Sequence, residues 1–215
     1  MVTLRNFRDR WVGSTEANLE KIFALLHALG RCIVFVDEAD QALGRRASGS
    51  GDSGVSSRIY SLLAAEMSDT RNRGKILWVL ASSRPDLIEV DLKRPGRIDV
   101  KVPIFPTATP EEGMLLVAAL CKRRGIPLDD TARQELLPLV PKWLTPGAAE
   151  ALAVKAYRFT KTGTPGASEA LRASLQGYRP PVDPAIIRAQ MQLAAEEATD
   201  AEFVPQEVTA YLAEA

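Results

Sequence analysis

Two short apolar runs stand out along the chain, Cys32-Ile-Val-Phe-Val36 and Ile76-Leu-Trp-Val-Leu-Ala81. Neither alternates with polar residues. Uninterrupted apolar runs of this length, rich in β-branched types, predict parallel strands buried on both faces. Around them the apolar positions recur at helical spacing. Leu19, Ile22, Phe23, Leu26 and Leu29 predict a helix with Ser14 or Thr15 as N-cap and Gly30 as its stop. Ile59, Leu62, Leu63 and Met67 predict a second helix over 58–67. A short strand is expected over 2–7 and a further one over 100–105, where Pro103 and Pro106 favour a strand end or a sheet edge. The stretch 47–57 is rich in Gly and Ser, has little to bury, and reads as a loop. Strand, helix, strand in succession is the unit of a parallel α/β layer.

After Pro106 the pattern turns helical throughout. Segments 110–123, 131–140, 147–159, 168–176, 184–198 and 205–213 carry helical periodicity, several with proline at or near the first turn. The expected organisation is an α/β core over 1–107 and a helical part over 108–215, interrupted by the stiff Tyr178-Arg-Pro-Pro-Val-Asp-Pro184.

The first apolar run ends abruptly in Asp37 and Glu38. In an open α/β sheet the carboxyl ends of the strands are where ligands bind, because the helices diverge there and leave a crevice. Adjacent residues on an extended backbone point to opposite sides, so the two carboxylates can take different tasks. One can orient the water shell of Mg²⁺ while the other receives a proton from an attacking water. The plainer alternative is that a buried strand must end somewhere, and acids are ordinary there.

Composition narrows the class without choosing a site. The chain has 215 residues, of which 46% are hydrophobic, enough for a packed core. Its 27 basic and 27 acidic side chains cancel, so there is no global attraction to nucleic acid or to an anionic membrane. Cys32 and Cys121 lie far apart in sequence, which argues against a disulfide scaffold and for a reducing compartment. No apolar run approaches the length of a membrane span, and the first residues lack an apolar signal region, so a cytoplasmic location is expected. His27 is the single histidine, which excludes a His-Glu-x-x-His zinc helix. It shares a helix face with Phe23 and reads as structural.

Four landmarks in one order resemble the AAA+ ATPases, in particular the group of protein unfoldases and membrane-complex disassemblers. Trp11-Val12-Gly13 resembles the aromatic, hydrophobic, glycine signature of a substrate-gripping pore loop. Ile33-Val-Phe-Val-Asp-Glu38 is similar to the Walker B strand. Arg84-Pro-Asp-Leu-Ile-Glu-Val-Asp-Leu-Lys-Arg-Pro-Gly-Arg-Ile-Asp99 is similar to the second region of homology, with its paired arginine fingers. Thr145-Pro-Gly-Ala148 resembles the start of the lid helix that closes over nucleotide.

The resemblance implies a partial AAA+ parallel sheet flanked by helices, followed by an all-α lid. It implies ATP and Mg²⁺ as cofactors. Asp37 would help hold Mg²⁺ through water, Glu38 would polarise the water attacking the γ-phosphate, and Ser83 would stand at the sensor position. Arg94 and Arg97 would reach a neighbour's nucleotide, because phosphoryl transfer spreads negative charge that a guanidinium fork can meet. Gly147 and Ala148 would line the nucleotide from the lid. Trp11, Val12 and Gly13 would grip a polypeptide substrate in the pore of a self-associated ring, hexameric in this family. Nucleic acid and membrane are not implied as partners.

Two departures qualify this. The family's Walker A loop, Gly-x-x-x-x-Gly-Lys-Ser/Thr, occurs nowhere in the 215 residues, so the chain lacks the amide and lysine cradle for the β- and γ-phosphates. Three alternatives follow: a truncated piece of a longer ATPase, a domain completed by another polypeptide, or a AAA-derived binding or regulatory module that no longer hydrolyses ATP. In the resembled fold the strand order is 5-1-4-3-2, with the missing loop after strand 1, which would lie between 100–105 and 76–81, so unpaired edges on both, with a gap or a rearranged pairing between them, are expected. Ser83 stands where the family usually carries Asn, and a hydroxyl offers one donor where an amide offers two. Hydrolysis is therefore expected of the intact ring, the isolated chain being poorly active or inactive.

Overall fold

A computed structural model describes residues 14–40, 53–163 and 166–214, with side chains in the first two helices described from 17 and from 60 onward. The strand expected over 2–7, the Trp11-Val12-Gly13 motif, the N-cap at Ser14 or Thr15 and most of the Gly/Ser-rich stretch lie outside the described residues. The chain divides into two units. The first takes the described residues up to Val102 together with Glu196–Ala201, and the second takes the remainder.

In the first unit, α1 (Ser14–Leu29) ends at Gly30, whose φ of +75° an L side chain rarely adopts. β1 (Cys32–Val36), α2 (Ser53–Ser68) and β2 (Ile76–Leu80) follow. β1 and β2 are parallel, with Cys32 opposite Ile76 and Val36 opposite Leu80. Leu19, Phe23 and Leu26 from α1, Val34 and Val36 from β1, and Leu63 and Ala64 from α2 form one core with Ile88 and Leu92. Fully buried side chains such as Leu19, Val36 and Leu92 each contribute about 1.5–3 kcal/mol.

The strands are buried on one face, not on both. Both helices pack on the side of Val34, Val36, Trp78 and Leu80, whereas Ile33 is 71% and Leu77 58% exposed on the other. Among the described residues nothing covers that second face. The continuous apolar run therefore marks a strand with two apolar faces, of which the described residues fill one.

Residues 100–105 form no strand. A strand exists only as part of a ladder, and here the polar main-chain atoms of Lys101 are taken by Thr199: the Lys101 N–H donates to Thr199 Oγ1 at 2.7 Å, and the Thr199 N–H donates to the Lys101 carbonyl at 3.1 Å. Lys93 and Lys101 both pair with Glu197. Val100 and Val102 are left more than half exposed. β2 pairs only with β1, so its far edge is open among the described residues, as the absent loop leads one to expect.

The second unit is helical: α3 (Pro110–Arg123), α4 (Asp130–Leu136), α5 (Pro146–Lys161), α6 (Ala167–Gln176), α7 (Pro184–Glu197, whose last two residues fall in the first unit) and α8 (Gln206–Ala213). Most bounds fall within two residues of those expected. The exception is 131–140, where the helix stops at Leu136 and a 3-10 turn covers Leu137–Leu139, because Pro138 supplies no N–H to continue it. Side-chain caps start three helices. The hydroxyl of Thr109 accepts from the Glu112 N–H, Asp129 from Ala132, and Thr145 from Ala148. Val117, Cys121, Leu136, Leu144, Leu152 and Leu171 are centres of the core. Burial pushes the Cys121 thiol up to about 11, with Arg124 opposing, and both cysteines are free.

Candidate active site

Asp37 and Glu38 leave the ladder as the sequence leaves the apolar run. The Ala81 N–H still donates to the Val36 carbonyl at 2.9 Å, but the next bond in line, to the Ala81 carbonyl, comes from Ala39. Regular parallel pairing would draw that bond from residue 38. One extra residue is accommodated on the β1 side, in the manner of a bulge. Glu38 takes the strain, with φ +52°, a conformation that costs a non-glycine residue about 1–2 kcal/mol. Its N–H donates instead to Asp37 Oδ1 at 3.0 Å. Asp37 is exposed, Glu38 half-buried, and Ala39 is wholly buried beneath them.

The turn after β2 faces this bulge. Ser82 Oγ donates to Asp40 Oδ1 at 2.5 Å and accepts from the Arg84 N–H at 3.0 Å. Arg84 then forks onto Asp86, Nε to Oδ1 at 2.9 Å and Nη2 to Oδ2 at 2.7 Å, which draws the Asp86 carboxyl below its usual range. Ser83 is exposed between them. Thus Asp37, Glu38 and Ser83 lie on turns at the carboxyl ends of neighbouring parallel strands. Asp40 and Ser82, which carry no role in the sequence reading, bind those turns together.

Arg94 and Arg97 stand at the two ends of one β-turn. The Arg97 N–H donates to the Arg94 carbonyl at 3.2 Å, Pro95 takes the second position, and Gly96 the third with φ +89°. This is the chemistry of a type II turn, and it explains the Arg-Pro-Gly-Arg string. Leu92, fully buried, anchors it from below, its carbonyl accepting from the Ile98 N–H at 3.1 Å. The two arginines differ. Arg97 is held inward, Nε to Ser68 Oγ at 2.8 Å and Nη1 to the Asp91 carbonyl at 2.9 Å. Arg94 is 71% exposed and, among the described residues, pairs with the Asp91 carboxylate at 3.0 Å. Near this turn the buried Tyr60 hydroxyl has no hydrogen-bond partner, and its pKa is raised by burial first and by Asp91 next.

Gly147 and Ala148 belong to the second unit, in the first turn of α5. Thr145 caps that turn with Pro146 at its first position; Gly147 is open to solvent and Ala148 is buried. Their N-terminal turn offers main-chain N–H groups, as any helix start does. Among the described residues no group of three or more His, Cys, Asp or Glu could enclose a metal ion, and no helix is long and apolar enough to cross a membrane.

Residues 1–105 match the model of the ATPase family associated with various cellular activities (AAA). The chain belongs to the AAA family. Among curated relatives, the peroxisomal ATPase PEX6 of Dictyostelium discoideum is 29% identical over 145 residues, 67% of this chain and 12% of the relative. A cell division cycle protein 48 homolog of Archaeoglobus fulgidus is 32% identical over 129 residues, 60% of this chain and 17% of the relative. The ribosome biogenesis ATPase RIX7 of Saccharomyces cerevisiae is 32% identical over 120 residues, 56% of this chain and 14% of the relative. The chain thus spans less than a fifth of the length of these AAA relatives.

Proposed function

We propose that this chain is the Walker B to lid portion of an ATP-driven protein remodeller, cytoplasmic, acting within a self-associated ring. The observation that carries the reading is the pair Asp37 and Glu38 set on a bulge at the carboxyl end of β1, with the serine turn of β2 tied beside it. In that arrangement the exposed Asp37 carboxylate would hold Mg²⁺ through water, and the half-buried Glu38 would accept a proton from the attacking water. Ser83 would hydrogen-bond that water or a phosphate oxygen. Bound MgATP supplies the phosphoryl group whose transfer drives remodelling.

The donor set suits this division of labour. Mg²⁺ in such sites keeps several waters and takes one or two carboxylates, so no enclosing cluster of acids is needed. Arg94, exposed, would act on a neighbouring copy's nucleotide, and Arg97, bonded inward, would hold the turn that presents it. Trp11, Val12 and Gly13 would grip a polypeptide, and Gly147 with Ala148 would face nucleotide from the lid. The α/β core over 1–107 and the helical part over 108–215 would be the two working domains.

The test is nucleotide turnover in the assembled ATPase with Glu38→Gln. Loss of hydrolysis with nucleotide binding retained is the expected result, and hydrolysis at the unsubstituted rate would defeat the reading. A second reading, a AAA-derived binding module without catalysis, is favoured by one observation, the absence of a Gly-x-x-x-x-Gly-Lys-Ser/Thr string. Micromolar ATP binding by the 215-residue chain alone counts against an inactive scaffold.

A further inference from the structure

The Arg-Pro-Gly-Arg turn lies in a loop whose two ends are gripped from far along the chain. Lys93, the residue before Arg94, pairs through Nζ with Glu197 Oε1, and Lys101 reaches the other carboxylate oxygen, Oε2, at 3.4 Å. One carboxylate thus gathers the two lysines that bracket residues 94–100. The main chain repeats the contact two residues on. The Lys101 N–H donates to Thr199 Oγ1 at 2.7 Å, and the Thr199 N–H donates to the Lys101 carbonyl at 3.1 Å. All of these residues belong to the first unit, which the chain leaves at Val102 and re-enters at Glu196.

These contacts differ from ordinary surface pairs. The side chain of Lys93 is 13% exposed and that of Glu197 25%. Exposed ion pairs contribute little, but an ammonium this enclosed is left uncompensated if its partner is removed. The turn has few bonds of its own: Arg97 N–H to the Arg94 carbonyl, Gly96 N–H to Asp99 Oδ1 at 2.6 Å, and Ile98 N–H to the Leu92 carbonyl. Buried Leu92 fixes the arm that enters the turn. The arm that leaves it, beyond Ile98, has neither a strand ladder nor a buried side chain among the described residues. Glu197 and Thr199 supply what that arm lacks.

We propose that Glu197 is a positioning residue for the arginine turn: with Thr199 it latches Lys93 and Lys101, so that residues 94–97 keep Arg97 facing inward and Arg94 outward. Closing a loop at its base restricts every residue between the closing points. Segment 196–201 contains none of the four family landmarks, yet it completes the support of the one turn that carries both arginines.

Hydrogen exchange of the 215-residue chain reads the latch directly, because amide protection reports local opening. In Glu197→Ala the Arg97 and Ile98 amides are expected to exchange about tenfold faster, the effect of losing a charge-assisted bond, with β1 and β2 amides unchanged. Should that variant fail to fold, Thr199→Val, which keeps both ion pairs and removes the acceptor for the Lys101 N–H, is read in the same way. Unaltered exchange at Arg97 and Ile98 overturns the proposal. So does an equal acceleration in β1 and β2, which would make Glu197 a general stabiliser of the unit.

A second measurement rests on the reading that Arg94 acts on a neighbouring copy's nucleotide. In the assembled ATPase, Glu197→Ala is expected to lower kcat about fivefold with KM for ATP unchanged, because the turn and not the nucleotide contact is disturbed. Faster exchange with a normal kcat upholds the latch and faults only the role given to Arg94. Unaltered exchange overturns the latch whatever kcat does.

Discussion

Ser82 Oγ donates to Asp40 Oδ1 at 2.5 Å, and this one bond joins the turn after β2 to the turn after β1. Because the acceptor is a carboxylate in a half-buried place, the bond is worth more than an exposed hydroxyl contact. Ser82→Ala and Asp40→Ala are each expected to cost about 1–2 kcal/mol, and the pair to show a coupling of about 1 kcal/mol in a double-mutant cycle. Urea unfolding monitored by circular dichroism measures it. Fully additive effects would show that the turns are held independently.

The two arginines of the Arg-Pro-Gly-Arg turn separate by environment, and so should their substitutions. Arg97→Ala leaves Ser68 Oγ and the Asp91 carbonyl without a donor, and a loss of about 1–2 kcal/mol is expected. Arg94→Ala removes an exposed ion pair and is expected to change stability by less than about 0.5 kcal/mol. Thermal melts distinguish the two. Equal destabilisation by both would show that the inward bonds of Arg97 contribute nothing.

Much of the chain was legible because its elements carry local signals. Gly30, Thr145 and the prolines at or near the first turns of later helices, such as Pro110 and Pro184, mark helix ends by chemistry that acts within one turn, and the structure places helix ends there. The strand over Cys32–Val36 was legible from its apolar run, but burial on both faces was not, since that depends on what else packs there. The segment 100–105 has the residues of a strand and lacks only a neighbour, a property that no single segment encodes. The site divides the same way. Asp37 and Glu38 announce themselves at the end of a strand, whereas the Ser82–Asp40 bond joins residues 42 apart in sequence. Its one available signal was that both follow the carboxyl ends of apolar runs.

Gly113 in α3 is required by space and not by backbone conformation. A Cβ built there would lie 2.7 Å from Val140 Cγ1 and 3.3 Å from Thr107 Oγ1. Val140 is buried and β-branched, with little freedom to move aside. Alanine would gain about 1 kcal/mol of helix propensity, yet overpacking costs typically 1–3 kcal/mol, so Gly113→Ala is expected to destabilise on balance. Combining it with Val140→Ala removes the obstructing methyl groups and should cost less than the sum of the two changes. A chemical denaturation series over the three variants decides it.

The Arg71 guanidinium forks onto the Asp69 carboxylate, Nε at 3.0 Å and Nη2 at 2.6 Å, while the Arg71 N–H donates to the same group at 2.9 Å. The side-chain bond leads and the main-chain bond follows in holding Asp69 at about 2, below its ordinary 3.8. A carboxylate with a depressed folded pKa adds stability above its unfolded value. That contribution is lost as pH falls from there through about 2. Arg71 is 85% exposed, so solvent screening keeps the effect on global stability small, and the local titration is the sharper readout. Carboxyl NMR of Arg71→Ala should place the Asp69 midpoint above that of the unsubstituted chain but short of the ordinary value, because alanine keeps the main-chain N–H. An unmoved midpoint would assign the depression to the main-chain bond alone, and a full return to the ordinary value would assign it to the guanidinium.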